Sequence, residues 1–205
     1  MNLLKQAMLF ASFVIVSLVS CGASAAESAS NTERYALPQR GYLELNVPAT
    51  WRATVSQPKK PVPPTINFAA REGGPFILNV TPRWRTAANK LRLTREAVRR
   101  RVSHSWGGIR PFARESNLDL IELRGNSGPG FYFTATDSAP RPGGYKYLTK
   151  GEVVVEDLVL MFTMLTNEGQ QSVVSDALAV LQSARHVSSA GAAAAGTKAG
   201  APQKR

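Results

Sequence analysis

The sequence is poor in the groups that carry most protein chemistry. Its 205 residues hold one cysteine, Cys21, and two histidines, His104 and His186. A single thiol excludes an internal disulfide, so the fold must be held by its core alone. Neither histidine has a second His, a Cys or a carboxylate at the spacing of H-E-x-x-H or C-x-x-C, so no metal site is expected. The glycine-rich stretch GNSGPG at 125–130 lacks the Lys-Ser/Thr of a phosphate loop and precedes a strand pattern, which makes it a turn. The inventory for nucleophilic or acid–base catalysis is thin. No catalytic residue, cofactor or enzyme activity is expected.

What is present at the start of the chain is Lys5 followed by AMLFASFVIVSLVS, an apolar run too short to span a bilayer comfortably. The layout is that of a secretory leader. Two cleavage sites compete. LVSC, ending at Cys21, resembles the bacterial lipobox, in which the cysteine is acylated and becomes the new N-terminus; ASA at Ala23–Ala25 fits ordinary small-residue cleavage before Ala26. The first gives a leader of residues 1–21, a lipid anchor at Cys21 and a flexible tether over 22–34; the second gives a leader of 1–25. Gly22 after the cysteine, with no Asp, favours the outer membrane by resemblance to bacterial sorting rules. The expected location is the cell envelope, on its periplasmic side. At the other end, residues 188–205 are rich in Ala and Gly, have no apolar periodicity and read as a disordered, weakly basic tail.

Residues 35–187 remain as a single domain of ordinary size. Tyr42–Val47 alternates Leu43, Leu45 and Val47 with polar neighbours, the period of a strand with one buried face; Pro48 ends it and Trp51, Ala53 and Val55 begin the next. Ile66, Phe68, Ala70 and Phe76, Leu78, Val80 alternate on either side of Gly73-Gly74-Pro75, which predicts a hairpin. Thr94–Trp106 predicts a helix, with Thr94 as N-cap, Glu96 in the first turn, Val98, Val102 and Trp106 every four residues, and Gly107-Gly108 as the stop. Strands return at LDLIELRG, GFYFTATD, YKYLTKGEVVV and LVLMFTMLT, the last two split by Glu156-Asp157. The final strand is apolar on both faces, which calls for cover on both sides. The closing QQSVVSDALAVLQSARHV carries Val174, Ala177, Leu178 and Leu181 as a helical stripe, with Arg185 late in the helix. The fold class is α+β: an antiparallel sheet flanked by helices on both faces.

LELNVPATW, GFYFTATD and YLTKGEVVVEDLVLMFTMLTNEG, in this order of strands, helix, strands and C-terminal helix, resemble the PsbP-like α/β/α sandwich superfamily and in particular its uncharacterised exported bacterial members. The resemblance covers roughly residues 40–185 and rests on core and turn positions. It implies an accessory or binding protein; metal-binding residues of some photosynthetic members match no His/Asp pair here. A photosynthetic role would be analogy from fold alone.

Charge is the strongest remaining signal. The net charge is +11, and removing Lys5 with the leader leaves 24 basic against 14 acidic side chains. Between Arg83 and Arg101 lie eight basic residues against Glu96 alone, whereas the rest of residues 35–187 is nearly neutral, twelve basic to eleven acidic. On the predicted helix Arg100 lies opposite Val98 and Val102, while Arg95 and Arg101 flank them. Three roles compete for Arg92, Arg95, Arg99, Arg100 and Arg101: a solvated face, a surface for anionic lipid, or a docking surface for an acidic envelope protein. Reversing Arg99, Arg100 and Arg101 to Glu is expected to leave the fold intact and weaken such contacts. Trp84 and Trp106 could stack on bases, but export removes nucleic acid as a partner.

The expected function is therefore a non-enzymatic, lipid-anchored binding or accessory module. Two alternatives remain open: an enzyme with a site around Asp137 and Tyr132, or a structural envelope lipoprotein with no specific ligand. Asp137, at a strand end, could serve a site or simply cap the loop after it.

Overall fold

A computed structural model describes residues 29–58, 63–86 and 90–189. The leader, Cys21 and the tail beyond Ser189 lie outside the described residues. The strands are β1 (Ser30–Leu37), β2 (Gly41–Pro48), β3 (Trp51–Ser56), β4 (Thr65–Ala70), β5 (Ile77–Trp84), β6 (Ile121–Arg124), β7 (Pro129–Thr136), β8 (Tyr147–Val155), β9 (Leu158–Thr166) and β10 (Arg185–Val187). The helices are α1 (Arg95–Trp106) and α2 (Gln171–Ser183). The strands form two antiparallel sheets, not one: a small sheet in the order β1-β2-β10 and a large sheet in the order β3-β4-β5-β9-β8-β7-β6.

The break between the sheets falls at Pro48-Ala49-Thr50, where the chain leaves β2 and starts β3 on a different partner. Leu43, Leu45 and Val47 are buried as their alternation requires. They face the same core as Ile66, Phe68, Leu78 and Val80 of the hairpin β4–β5, whose strands pair Ile66 with Val80 and Phe68 with Leu78. Val55, by contrast, is exposed at the edge of the large sheet.

β1 begins at Ser30, inside the segment read as tether, and pairs with β2 along its whole length from Ser30↔Pro48 to Leu37↔Gly41. Its outer end carries polar residues, which an edge strand tolerates, so hydrophobicity did not reveal it. The last helix covers its whole apolar stripe but ends before Arg185. Ala184 leaves helical geometry and Arg185–Val187 form β10 beside Glu44, Leu43 and Tyr42. Arg185 therefore belongs to a strand and does not sit in the last helical turn. His186 is buried there, with Nδ1 2.6 Å from Asp157 Oδ1 and Nε2 2.8 Å from the Arg40 carbonyl oxygen. This contact ties the small sheet to the β8–β9 turn.

The side chains of β7, β8 and β9 alternate between two apolar clusters. Phe131, Phe133, Ala135, Val154 and Val159 pack with Val98, Val102 and Trp106 of α1. Val153, Val155, Leu158, Leu160, Phe162 and Met164 pack with Ala177, Val180 and Leu181 of α2 and with the small sheet. The second cluster is the larger. β9 is fully buried on that side only: on the other, Val159 is buried but Met161 and Leu165 are half-exposed.

Candidate functional site

Helix α1 starts where its sequence says it should. Thr94 Oγ1 accepts a hydrogen bond from the Ala97 amide at 3.3 Å, satisfying one of the free N–H groups of the first turn. The stripe Val98, Val102, Trp106 then lies over β7, with Trp106 edge-on to Phe133 at 5.3 Å between ring centroids. Burial of that stripe fixes the angle of every other residue on the helix.

The arginines at the flanks of the stripe consequently reach the sheet on either side of β7. Glu122 of β6, Phe131 of β7 and Glu152 of β8 are direct cross-strand neighbours in one row. Arg95 lies over the Phe131 ring, 5.1 Å from its centroid, and binds Glu122 through two hydrogen bonds of 3.2 Å. This partner holds the Glu122 carboxyl below, and the Arg95 guanidinium above, their ordinary pKa values. Arg101 binds Glu152 at 2.7 Å on the other side, and its Nη1 donates to the Arg92 carbonyl at 2.7 Å. Glu152 is buried. The Arg101 Nη2 is buried as well and has no hydrogen-bond partner among the described residues. The buried Arg101–Glu152 pair fixes the helix to the sheet, and the exposed Arg95–Glu122 pair adds little to it.

Of the five arginines singled out from the sequence, Arg95 and Arg101 are thus occupied in the fold. Arg92, Arg99 and Arg100 are exposed and form no ion pair with a described residue, as is Lys90. The expectation that Arg99, Arg100 and Arg101 can be reversed together without harm fails at Arg101, because a glutamate there would face buried Glu152. Arg85 is directed at the Leu91 carbonyl at 2.8 Å and Arg83 at the Met161 sulfur at 3.4 Å. Trp106 is buried and Trp84 packs against the large core under Arg40, so neither indole offers an open face. One turn past α1, Phe112 is the most exposed large apolar side chain described, at 68%, between Arg110 and Arg114 in the chain.

Asp137 and Tyr132 are not brought together. Asp137 Oδ1 accepts the Ala139 amide at 2.9 Å, closing the loop turn, and its backbone bridges to Ala113. Tyr132 packs against the opposite, larger core, where burial and then the charge of Asp119 push its hydroxyl pKa up. His104 is exposed near the end of α1.

Sequence reasoning missed the Arg101–Glu152 pair and the His186–Asp157 contact. The first had a signal. Glu152 interrupts an apolar strand at a position of the same parity as Val154, on the face that α1 covers. The second had none, since nothing local joins residues 157 and 186.

No family model matches the chain, and no curated protein matches it. Among solved structures, the solution structure of cyanobacterial PsbP (CyanoP) from Synechocystis sp. PCC 6803 is similar in fold, at 15% identity and a TM-score of 0.48, over 82% of this chain and 98% of that one. A crystal structure from Bacteroides thetaiotaomicron VPI-5482 matches at 10% identity and a TM-score of 0.42, over 72% of this chain and 46% of that one.

Proposed function

We propose that this chain is a cell-envelope binding or accessory protein without catalytic activity. Its leader exports it, acylated Cys21 anchors it to the outer membrane, and its domain is an α/β/α sandwich with α1 and α2 on opposite faces of the large sheet. The exposed basic surface of α1 meets an anionic membrane. The observation that carries this reading is that Lys90, Arg92, Arg99 and Arg100 are exposed and unpaired among the described residues, while Arg85, Arg95 and Arg101 are bound within the fold. Each basic residue held at an anionic leaflet contributes about 1 kcal/mol, and the acyl anchor holds the domain near one. Phe112, exposed beside Arg110 and Arg114, supplies an apolar tip suited to the headgroup boundary.

The test is co-sedimentation of the full chain carrying Cys21→Ala, so that no acyl chain contributes, with vesicles of phosphatidylglycerol and phosphatidylethanolamine. Binding is expected to need the anionic lipid, to fall with salt, and to drop at least tenfold in Arg99→Glu/Arg100→Glu and several-fold in Phe112→Ser. Equal partitioning of the variants and the parent chain would sink the proposal, as would capture by an acidic protein with no vesicle binding. Anchoring is tested separately by labelling cells with an azido-palmitate precursor: label on the parent and none on Cys21→Ala is expected.

A further inference from the structure

Helix α1 packs on β7 and β8 and stops there. The same face of the large sheet continues over β9, β5, β4 and β3, and there, apart from buried Val159, its side chains are half-exposed or exposed. In register they form a row of hydroxyl and amide groups: Thr54, Asn67, Asn79 and Thr163, ending at Lys150 of β8. Asn is depleted in strands because its short polar side chain competes for backbone hydrogen bonds. Here Asn67 and Asn79 are direct cross-strand partners on two interior strands. Asn67 is used within the fold, its amide donating to Ser56 Oγ at 3.1 Å and to the Thr54 carbonyl at 3.3 Å, but Asn79 has no such use, and threonine or valine would serve the sheet better there.

Where this row meets α1 there is a cavity of about 140 Å³, lined by Asn79, Thr81, Thr163, Ser105, Lys150 and Arg101 among others. It has room for a phosphate or a small organic acid. Its charge is set by elimination. Glu152, the one carboxylate in the lining, is bound by Arg101. Lys150 makes no hydrogen bond or ion pair with a described residue, and neither the Asn79 amide nor the Thr163 hydroxyl does. Arg83 lies one step farther on the same face, against Met161. The lining thus offers one free ammonium group, one uncommitted amide and one uncommitted hydroxyl, with a second cation at its rim; Thr81 and Ser105 are taken up by the Thr65 hydroxyl and the Val102 carbonyl. An oxyanion complements the lysine, and neighbouring hydroxyl groups complement the amide and threonine side chains.

We propose that this cavity binds a small hydroxylated molecule bearing one oxyanion group, a phosphate or a carboxylate, with the anion on Lys150 and its hydroxyls along Asn79 and Thr163. The site is separate from the membrane-facing surface of α1 and does not depend on it.

The experiment is an amide NMR titration of the full Cys21→Ala chain with three probes of one ring size: glucose 6-phosphate, glucuronate and glucose. Saturable shifts at Lys150, Thr163 and Asn79 are expected with one or both anionic sugars, whichever responds naming the oxyanion, and none of comparable size with glucose. Lys150→Gln is expected to weaken binding at least tenfold at unchanged melting temperature, Lys150→Arg to retain most of it, and Arg99→Glu/Arg100→Glu to leave it unchanged. Shifts confined to α1 and lost in the Arg99/Arg100 variant would mean general attraction to the basic surface and would overturn the proposal. So would undiminished binding by Lys150→Gln, or no saturable shift at the cavity with either anion.

Discussion

Removing the carboxylate of Glu152 should destabilise the domain far more than removing that of Glu122, although both hold an α1 arginine. Arg101 and Glu152 meet at 2.7 Å with side-chain exposures of 26% and 9%. At an effective dielectric of about 20 their gross attraction is about 6 kcal/mol, and most of it is offset by the several kcal/mol lost when each ion leaves water. The pair therefore adds little in net terms. Breaking it is different, because Glu152→Ala leaves the Arg101 guanidinium beside the sheet with Nη2 already unpartnered. A stranded charge of this kind costs about 3–5 kcal/mol, and the partial exposure of Arg101 gives it a route to water that places the expected loss near the lower end. For a domain of this size about 3 kcal/mol lowers the melting temperature by roughly 6–12 °C. The double variant Arg101→Met/Glu152→Leu removes both charges and should return to within about 1 kcal/mol of the parent. Urea and thermal unfolding of the two single variants and the double variant complete the cycle. Glu122→Ala leaves Arg95 in solvent and should not move the midpoint measurably. A loss below about 1 kcal/mol for Glu152→Ala, or a double variant as unstable as the sum of the singles, would refute the reasoning.

Gly41 has φ +91°, and a Cβ there would lie 2.0 Å from the Val187 carbonyl oxygen. Gly41→Ala should cost about 1–3 kcal/mol in backbone strain alone and release β10, read as lost hydrogen-exchange protection at Arg185–Val187. Glu115 accepts the Thr136 amide at 2.8 Å and the Thr136 hydroxyl at 2.7 Å. Burial raises its pKa, but these bonds and the charge of Arg114 outweigh burial and leave it below the ordinary 4.5. A carboxylate depressed in the folded state adds stability above its unfolded pKa and loses it as pH falls through the folded one. The stability difference between the parent and Glu115→Gln should thus be constant near neutrality and shrink below about pH 4.5.

The strands legible in the sequence are those with one strictly buried parity. Leu43, Leu45 and Val47, or Ile66, Phe68, Leu78 and Val80, announce both their strand and the face they bury. Their division into two sheets was not legible, because Leu45 and Phe68 belong to one core and alternation cannot tell which backbone pairs with which. β1 and β10 escaped for a related reason. Their pairing with β2 is set by distant partners, and β10 follows α2 so closely that Arg185–Val187 looked like its last turn. The apolar character of β9 correctly signalled burial, but Met161 and Leu165 are long enough to be half-covered by their neighbours alone, without a second helix above them.

The arginine-rich helix shows how far a charge count goes and where geometry takes over. Eight basic residues against one acidic gave the location of the charge asymmetry and nothing about its availability. Wheel angle does the sorting: Arg100 points away from the Val98–Val102 stripe and stays in solvent, whereas the flanking Arg95 and Arg101 are long enough to fold down beside it. Whether they do so depends on carboxylates outside the helix, and Glu122 and Glu152 come within reach only because antiparallel register sets them on either side of Phe131. Half of that arrangement is helical periodicity, written in residues 94–106. The other half is sheet register, which is fixed by the β7–β8 and β6–β7 pairings and is invisible until the strands are assembled. The same register that neutralises two arginines leaves Lys150, two positions before Glu152 on the same face, with no acidic partner among the described residues. An uncompensated cation set on a rigid strand, next to Thr163 and Asn79, is a binding group held in place by the sheet itself.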